Sequence, residues 1–326
     1  MKVLITGSNG YLGSSFIDRY QKRYQFTTFS LLHQKIEDIN FRDVNIVLHC
    51  AALVHQKEEH SYEKYHEINV TYPLKLAKLA KQNGVQQFVF ISTIAVYGED
   101  EEVLNENTIC DPVTPYGKSK LEAERQLSEL HDDSFVVSII RVPMVYGKDA
   151  PGNIESLVKL VRNVPIIPLG GINNRRSFVY VGNLCWLVDE VIRFRVKLGM
   201  TEELKHAMTE EVKLGIKEGS AVTRECHPEL DSGSKNIFLA CDDEPLSTTR
   251  LIELIAKNLN KKVYLVKVPF FEFLLKLLKP SFHKRLYGSL EVDNSLTMKR
   301  LFSEVKPSLP FSVQEGIKLM ISGENN

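Results

Sequence analysis

Cysteine is scarce in this 326-residue sequence, and its few positions form no pattern. The five residues are odd in number, widely separated and never in C-x-x-C spacing: Cys50, Cys110, Cys185, Cys226 and Cys241. This distribution argues against a disulfide framework and against a structural zinc site, including one at the Cys226–His227 pair. The sequence therefore predicts reduced thiols in a cytoplasmic protein, and it predicts no metal site.

An excess of charge of one sign is also missing. Lys plus Arg and Asp plus Glu both total 41, so the formal net charge is zero. The total charge gives no electrostatic reason to expect a nucleic-acid partner or an anionic membrane partner.

Long apolar runs are absent as well. The start of the chain reaches Gly7 after a few apolar residues, which is too short for a signal peptide. The most apolar late stretch, 263–278, is interrupted by Lys267, Glu272 and Lys276. We expect it to form a strand and then an amphipathic helix, and we expect no membrane span.

The first 150 residues alternate short apolar runs with segments of helical periodicity. The runs 3–6, 26–30, 45–51, 87–92 and 136–142 are typical of strands, and 12–23, 65–82 and 116–130 are typical of helices. Such alternation predicts an α/β protein with a parallel sheet covered by helices on both faces. The short segment between the second and third strands leaves room for one strand fewer than usual.

A glycine motif follows the first strand directly. Gly7, Gly10 and Gly13 have G-x-x-G-x-x-G spacing and lead into the first helix. Gly7 allows a tight turn, Gly10 lets the backbone approach a pyrophosphate, and Gly13 allows close contact between helix and strand. The motif predicts a Rossmann-type, doubly wound sheet that binds a dinucleotide. No acidic residue or arginine ends the second strand, so the choice between NAD and NADP stays open, with Asp38 expected near the adenine.

A second motif has the residues of a proton-transfer site. Tyr116 and Lys120 are four apart in a predicted helix, which places phenol and ammonium on one helical face. A nearby cation lowers the pKa of a tyrosine, so we expect Lys120 to make Tyr116 a usable general acid or base. Thr93 ends the fourth strand, where its hydroxyl is expected to point into the ligand crevice.

Together these motifs resemble the extended short-chain dehydrogenases, the group of UDP-galactose 4-epimerase and its nucleotide-sugar relatives. The resemblance includes residues 48–52, 68–70, 91–98, 116–120 and 141–147. It implies a catalytic triad of Thr93, Tyr116 and Lys120. It also implies a cofactor site formed by Gly7, Gly10, Tyr11, Leu12, Gly13, Asp38, Ala51, Ala52, Asn69, Tyr116, Lys120 and Pro143.

The second half resembles the branch that reduces UDP-4-keto-6-deoxy-N-acetylhexosamines, in residues 171–178 and 285–293. That likeness implies that Arg176 contacts the substrate diphosphate, and that Asn153, Arg285 and Thr93 complete the substrate site. The predicted activity is reduction of the C4 ketone with NADH or NADPH, for surface polysaccharide synthesis. A UDP-hexose 4-epimerase is the alternative, and a non-catalytic cofactor-binding regulator is a third hypothesis.

The resemblance also predicts the organisation of the chain. The dinucleotide-binding domain is expected in 1–150, with 176–196 returning to it, and a smaller C-terminal substrate lobe in 151–175 and 236–326. The charged segment 197–235 is interpreted as a surface insertion with at most a short helix over 202–217. A homodimer through the helices 65–82 and 116–130 is expected.

Overall fold

Six parallel strands form the central sheet of the computed structural model, which describes residues 1–30, 34–54, 61–199, 236–302 and 307–323. The sheet order is β2-β1-β3-β4-β6-β10, and every neighbouring pair is parallel. The strands are β1 (Lys2–Thr6), β2 (Gln25–Phe29), β3 (Val44–His49), β4 (Gln87–Thr93), β5 (Val103–Leu104), β6 (Val136–Val142), β7 (Met144–Tyr146), β8 (Ile166–Ile167), β9 (Phe178–Tyr180), β10 (Ile237–Leu239), β11 (Tyr264–Leu265) and β12 (Glu291–Val292).

Helices cover both faces of this sheet and form much of the smaller lobe that follows it. They are α1 (Tyr11–Tyr20), α2 (Tyr62–His66), α3 (Tyr72–Gln82), α4 (Pro115–Ser128), α5 (Asn153–Asn163), α6 (Val181–Gly199), α7 (Thr248–Asn258), α8 (Phe271–Leu278), α9 (Pro280–Tyr287), α10 (Ser295–Phe302) and α11 (Val313–Ser322). One apolar cluster joins α1, α6 and α10 to the sheet, and a second joins α3 and α4 to its other face. The predicted α/β fold and parallel sheet are confirmed.

The order of the strands fixes where a ligand binds. Between β2 and β3 the described residues contain a short 3-10 turn, Ile36–Asp38, and no strand. Because β2 lies on one side of β1 and β3 on the other, the order in which strands are added to the sheet reverses at β1. In open parallel sheets a crevice forms at this point, outside the carboxyl ends of the strands.

A smaller lobe follows the sheet. Its apolar cluster takes side chains from α5, α7 and α11, and two-stranded pairings such as β8 with β11 border it. The predicted assignment of all of 236–326 to this lobe needs correction. β10 pairs with β6 and extends the large sheet, and α10 packs beside α6, because their apolar side chains complete the larger core.

The helix α6 continues to Gly199, so residues 197–199 of the segment predicted as a surface insertion are helical. The rest of that segment, including the helix predicted for 202–217, lies outside the described residues. Among the helices that are described, none has both the length and the apolar character needed to cross a bilayer.

A buried carboxyl group ties the lobe to the sheet. Asp242 accepts hydrogen bonds from Tyr146 Oη at 2.7 Å, from the Tyr180 amide at 3.0 Å and from Asn183 Nδ2 at 2.8 Å. Burial raises the pKa of Asp242 to about 6, although these hydrogen bonds oppose the rise. The ends of β7 and β9 and the start of α6 are thereby held at one point.

Candidate active site

The glycine turn is built so closely that side chains would not fit. Gly7 has φ +70°, and a Cβ there would lie 2.7 Å from the Ala51 amide nitrogen. A Cβ at Gly13 would lie 2.3 Å from the Gly7 carbonyl oxygen, and that same oxygen accepts a hydrogen bond from the Gly10 amide at 2.9 Å. The turn therefore brings the start of α1 against the ends of β1 and β3.

This turn fits the pyrophosphate of a dinucleotide. Gly10 precedes α1 without a side-chain cap, and the first turn of α1 contains no acidic residue. The first amides of the helix thus face the crevice without a competing side-chain acceptor, which is the arrangement that stabilises an anion. Gly7, Gly10 and Gly13 are the residues that would hold this part of the cofactor.

The other predicted cofactor residues occupy different depths around the crevice. Tyr11 and Leu12 are half-buried in the first turn of α1, and Ala51 and Ala52 are half-buried after β3. Pro143 is buried directly after β6. Asp38 is exposed in the short turn after β2, and its contact with adenine stays a prediction.

Two residues that the sequence analysis missed form the floor between β1 and β3. The Thr6 hydroxyl and His49 Nδ1 are 2.8 Å apart, and the His49 ring stacks on Phe90 with centroids 5.8 Å apart. Burial, and then the neighbouring Lys120, lower the pKa of His49 to about 3, so its imidazole is neutral. Only tertiary packing brings these residues together.

Thr93 and Tyr116 meet through a hydrogen bond between their side chains. Thr93 is the last residue of β4, and Tyr116 lies in the first turn of α4. This approach depends on Gly117, where a Cβ would lie 2.6 Å from the Ala95 carbonyl oxygen. The Tyr116 ring also meets Tyr65 edge to face, with centroids 6.5 Å apart. The structure therefore brings together two of the three residues of the predicted triad, and their catalytic role stays a prediction.

The predicted effect of Lys120 on Tyr116 is wrong for this structure. Burial raises the pKa of Tyr116 to about 12, the hydrogen bond with Thr93 opposes this rise, and Tyr65 adds to it. Lys120 Nζ instead donates to the Ile91 carbonyl oxygen at 2.6 Å. The same nitrogen lies 3.8 Å from the Phe90 ring centroid. Lys120 and Tyr116 share one face of α4, but the lysine side chain is long, so its ammonium group can lie away from the phenol.

Lys120 is itself strongly affected by its surroundings. The residue is only 1% exposed, and burial lowers the pKa of its ammonium group to about 7, while Glu124 and Cys50 act in the opposite direction. Perturbed groups of this kind concentrate at functional sites. Lys120 can therefore change charge near neutral pH.

A buried ion pair lies directly behind Thr93 and Lys120, and the sequence analysis missed it. Arg141 Nη2 is 2.6 Å from Glu124 Oε2, and the two side chains are 4% and 3% exposed. The Ser92 hydroxyl donates to Glu124, and the guanidinium carbon of Arg141 lies 4.6 Å from the Tyr97 ring centroid. The pair links β4, α4 and β6 beneath the proton-transfer residues.

Asn69 has a positioning role. It lies in a π-helical turn, Glu67–Thr71, between α2 and α3, where the sequence predicted one continuous helix. Its amide nitrogen donates to the Leu53 carbonyl at 3.0 Å and to the Ser119 hydroxyl at 3.1 Å, and its oxygen accepts from the Leu53 amide at 2.8 Å. Asn69 therefore joins the segment after β3 to α4, which carries Tyr116.

Apart from Thr93 at the end of β4, the predicted substrate residues lie outside the large sheet. Arg176 Nη1 donates to the Gly288 carbonyl at 2.9 Å, and burial together with the nearby Arg285 lowers the pKa of Arg176. Two guanidinium groups that repel each other form a natural site for a dianion. Arg285 and Asn153 are exposed, Asn153 as the first residue of α5. No group of three or more potential metal ligands occurs in the described residues.

Comparison with known proteins agrees with this geometry. The model of the NAD dependent epimerase/dehydratase family matches residues 3–199. A UDP-glucose 4-epimerase of Vibrio cholerae is 30% identical over 97% of this chain and 93% of its own. An Escherichia coli O157:H7 N-acetyl-alpha-D-glucosaminyl-diphospho-ditrans,octacis-undecaprenol 4-epimerase is 27% identical over 60% of this chain and 63% of its own.

The fold is also that of a solved relative. A UDP-glucuronic acid 4-epimerase of Bacillus cereus, solved with NAD, has a TM-score of 0.68 and 18% identity, and the match covers 99% of both chains. The family match covers more than half of this chain, and the residues of the glycine turn and of the Thr93–Tyr116 pair lie within it. The chain belongs to the NAD-dependent epimerase/dehydratase family, as an enzyme of the nucleotide-sugar epimerase and reductase type.

Proposed function

We propose that this enzyme reduces the C4 ketone of a UDP-4-keto-6-deoxy-N-acetylhexosamine. The observation that carries the proposal is the hydrogen-bonded Thr93–Tyr116 pair, in which burial raises the pKa of Tyr116 to about 12. The phenol therefore keeps its proton at neutral pH and is ready to donate it. A ketone that receives hydride needs such a donor at its oxygen.

Each residue has a separate task in this proposal. When bound, a nicotinamide cofactor would supply hydride for C4. Tyr116 donates its proton to the ketone oxygen, and Thr93 holds that oxygen by a hydrogen bond. Lys120, with a pKa lowered to about 7, is assigned to the cofactor and not to the phenol, in line with its place in the predicted cofactor site. Arg176 and Arg285 hold the substrate diphosphate.

A UDP-hexose 4-epimerase is the second candidate, favoured by the Vibrio cholerae relative that aligns over nearly the whole chain. An epimerase oxidises C4 and then reduces the same carbon, so Tyr116 would accept a proton and return it. The Escherichia coli relative is named for a sugar on a lipid diphosphate, which widens the range of sugar diphosphates to be assayed.

The test is absorbance at the reduced-nicotinamide band, with purified protein, NADH or NADPH, and enzymatically prepared UDP-4-keto-6-deoxy-N-acetylglucosamine. Steady loss of absorbance is expected, and the faster cofactor identifies the preferred nucleotide. Tyr116→Phe should abolish turnover and keep cofactor binding, whereas Tyr264→Phe, at an exposed tyrosine of the smaller lobe, should change neither. Interconversion of UDP-hexoses without added reductant, and no reductant loss with the ketone, would overturn the reductase in favour of the epimerase.

A further inference from the structure

A stripe of apolar side chains faces solvent on α8 and the residue before it. Phe270, Phe273, Leu274, Leu277 and Leu278 follow the i, i+3, i+4, i+7, i+8 spacing of one helical face. Phe270 is 84% exposed, and Phe273, Leu277 and Leu278 are each 67% exposed. We call these five residues the α8 stripe.

The helix α8 exposes more apolar surface than an ordinary surface helix does. No residue of α8 is fully buried, and its contact with the apolar cluster of the lobe is through Phe271. Phe282, on the following helix α9, is 49% exposed as well. Single exposed apolar residues are common on protein surfaces, but a contiguous set marks an interaction site.

Basic residues flank the α8 stripe along the chain, although one of them, Lys284, is paired with Glu99 at 2.8 Å. Between residues 266 and 285 the chain has five cationic side chains and one acidic side chain, Glu272, although the whole chain has a net charge of zero. The cations are Lys267, Lys276, Lys279, Lys284 and Arg285. Lys276 and Lys279 are exposed at the carboxyl end of α8, next to the apolar face. The chain therefore has a locally basic region although its net charge is zero.

We propose that the α8 stripe docks this enzyme on the surface of a bilayer that contains anionic lipids. A short amphipathic helix with Phe and Leu on one face and Lys at its edges has the chemistry that inserts at the boundary between head groups and acyl chains. The cations attract the anionic head groups, and the apolar side chains leave water. The helix is too short to span the bilayer, so it lies in the plane of the surface.

Docking at this place bears on the substrate site. Arg176 Nη1 donates to the carbonyl of Gly288, directly after α9, and Arg285 lies on α9 itself. The helix that follows the α8 stripe therefore carries one proposed diphosphate residue and anchors the other. Membrane docking places these residues beside the head-group layer.

Vesicle flotation of the full chain tests the proposal. We expect the protein to float with vesicles of equal parts phosphatidylglycerol and phosphatidylcholine, to float poorly with phosphatidylcholine alone, and to lose binding at high NaCl. F273S/L277S should weaken binding by at least about tenfold, since two large apolar side chains no longer enter the bilayer. The matched control is V103S/I109S, at two exposed apolar residues on another part of the surface.

A charge series separates the electrostatic contribution. K276E/K279E should also weaken binding by on the order of tenfold or more, because each basic residue near an anionic surface contributes to attachment. K22E/K318E makes the same charge change at exposed lysines elsewhere and should bind as the unmodified protein does. Circular dichroism of all four variants verifies folding.

Two outcomes would overturn the proposal. One is equal flotation of F273S/L277S and its control. The other is a fall in the solution mass of F273S/L277S from dimer to monomer without vesicle binding by the unmodified protein, which would make the α8 stripe an interface between two copies of the chain.

Discussion

Replacing Glu124 by glutamine removes one charge of the buried ion pair and leaves the shape of the side chain nearly unchanged. Arg141 then stays 4% exposed without its carboxylate partner. An isolated buried charge of this kind destabilises a protein by about 3–5 kcal/mol, because desolvation is no longer offset by the attraction of its partner.

The expected change in melting temperature follows from the size of the chain. Unfolding entropy is about 2.1 cal/mol/K per residue, so a chain of 326 residues gains about 0.7 kcal/mol/K on unfolding. We therefore expect Glu124→Gln to lower the Tm by about 4–7 °C, measured by differential scanning calorimetry.

A double variant tests whether the unpaired guanidinium of Arg141 causes the loss of stability. In E124Q/R141M neither charge remains, so we expect it to recover most of the Tm lost by E124Q, as apolar replacements of buried ion pairs do. The reference change is Glu122→Gln, at a more exposed glutamate of the same helix. If E124Q/R141M melts no higher than E124Q, the loss does not come from the unpaired guanidinium.

Turnover of E124Q gives a second readout. Glu124 raises the pKa of Lys120, which burial otherwise lowers to about 7. Without this carboxylate the pKa of Lys120 falls further, so Lys120 loses its proton at a lower pH. If protonated Lys120 is required, the alkaline limb of the pH–rate profile should move to lower pH. A purely structural role would reduce the rate equally across the profile.

Three further changes give sharp expectations. Gly13→Ala should weaken NAD binding, by calorimetry, far more than Gly10→Ala, because the new Cβ lies 2.3 Å rather than 3.1 Å from the Gly7 carbonyl oxygen; equal losses would contradict the close-packed turn. Asp242 has a pKa of about 6 when folded against 3.8 when unperturbed, so its contribution to stability is complete below pH 3.8 and is lost as pH rises through 6. The free energy of unfolding of Asp242→Asn, measured with urea, should lack this pH-dependent contribution, which amounts to about 3 kcal/mol. If its free energy of unfolding depends on pH as that of the unmodified protein does, Asp242 is not the source. Arg176→Lys should raise KM with little change in kcat, since a lysine loses the paired donors that hold a diphosphate; a fall in kcat alone would exclude that role.

Four strands of the large sheet were predictable because they are buried on both faces. Such strands are short apolar runs bounded by glycine or polar residues, so β1, β3, β4 and β6 were predicted to within two residues at each end. The three-residue strand β10 was not found, because a run so short has no periodicity and its partner β6 lies about a hundred residues earlier.

Some features of the candidate site could also be predicted from the sequence, and others could not. The sequence predicts the glycine turn and the Thr93–Tyr116 pair, because strand ends and helix starts fix their positions. It does not predict the direction taken by Lys120, since four rotatable bonds let the ammonium group reach Ile91 instead of Tyr116. The Glu124–Arg141 pair was missed because no sequence spacing marks two residues that meet across a core.

The late return of β10 also affects how the chain folds during synthesis. The β10-facing edge of β6 stays unpaired until residues 237–239 have left the ribosome. At about 5–20 residues per second, the hundred residues between these strands take roughly 5–20 s to synthesise. An unpaired edge on a parallel sheet is a template for association with other chains during that time. Synonymous codon changes that slow translation between β6 and β10 are therefore expected to reduce the yield of folded protein, although they leave the amino-acid sequence unchanged.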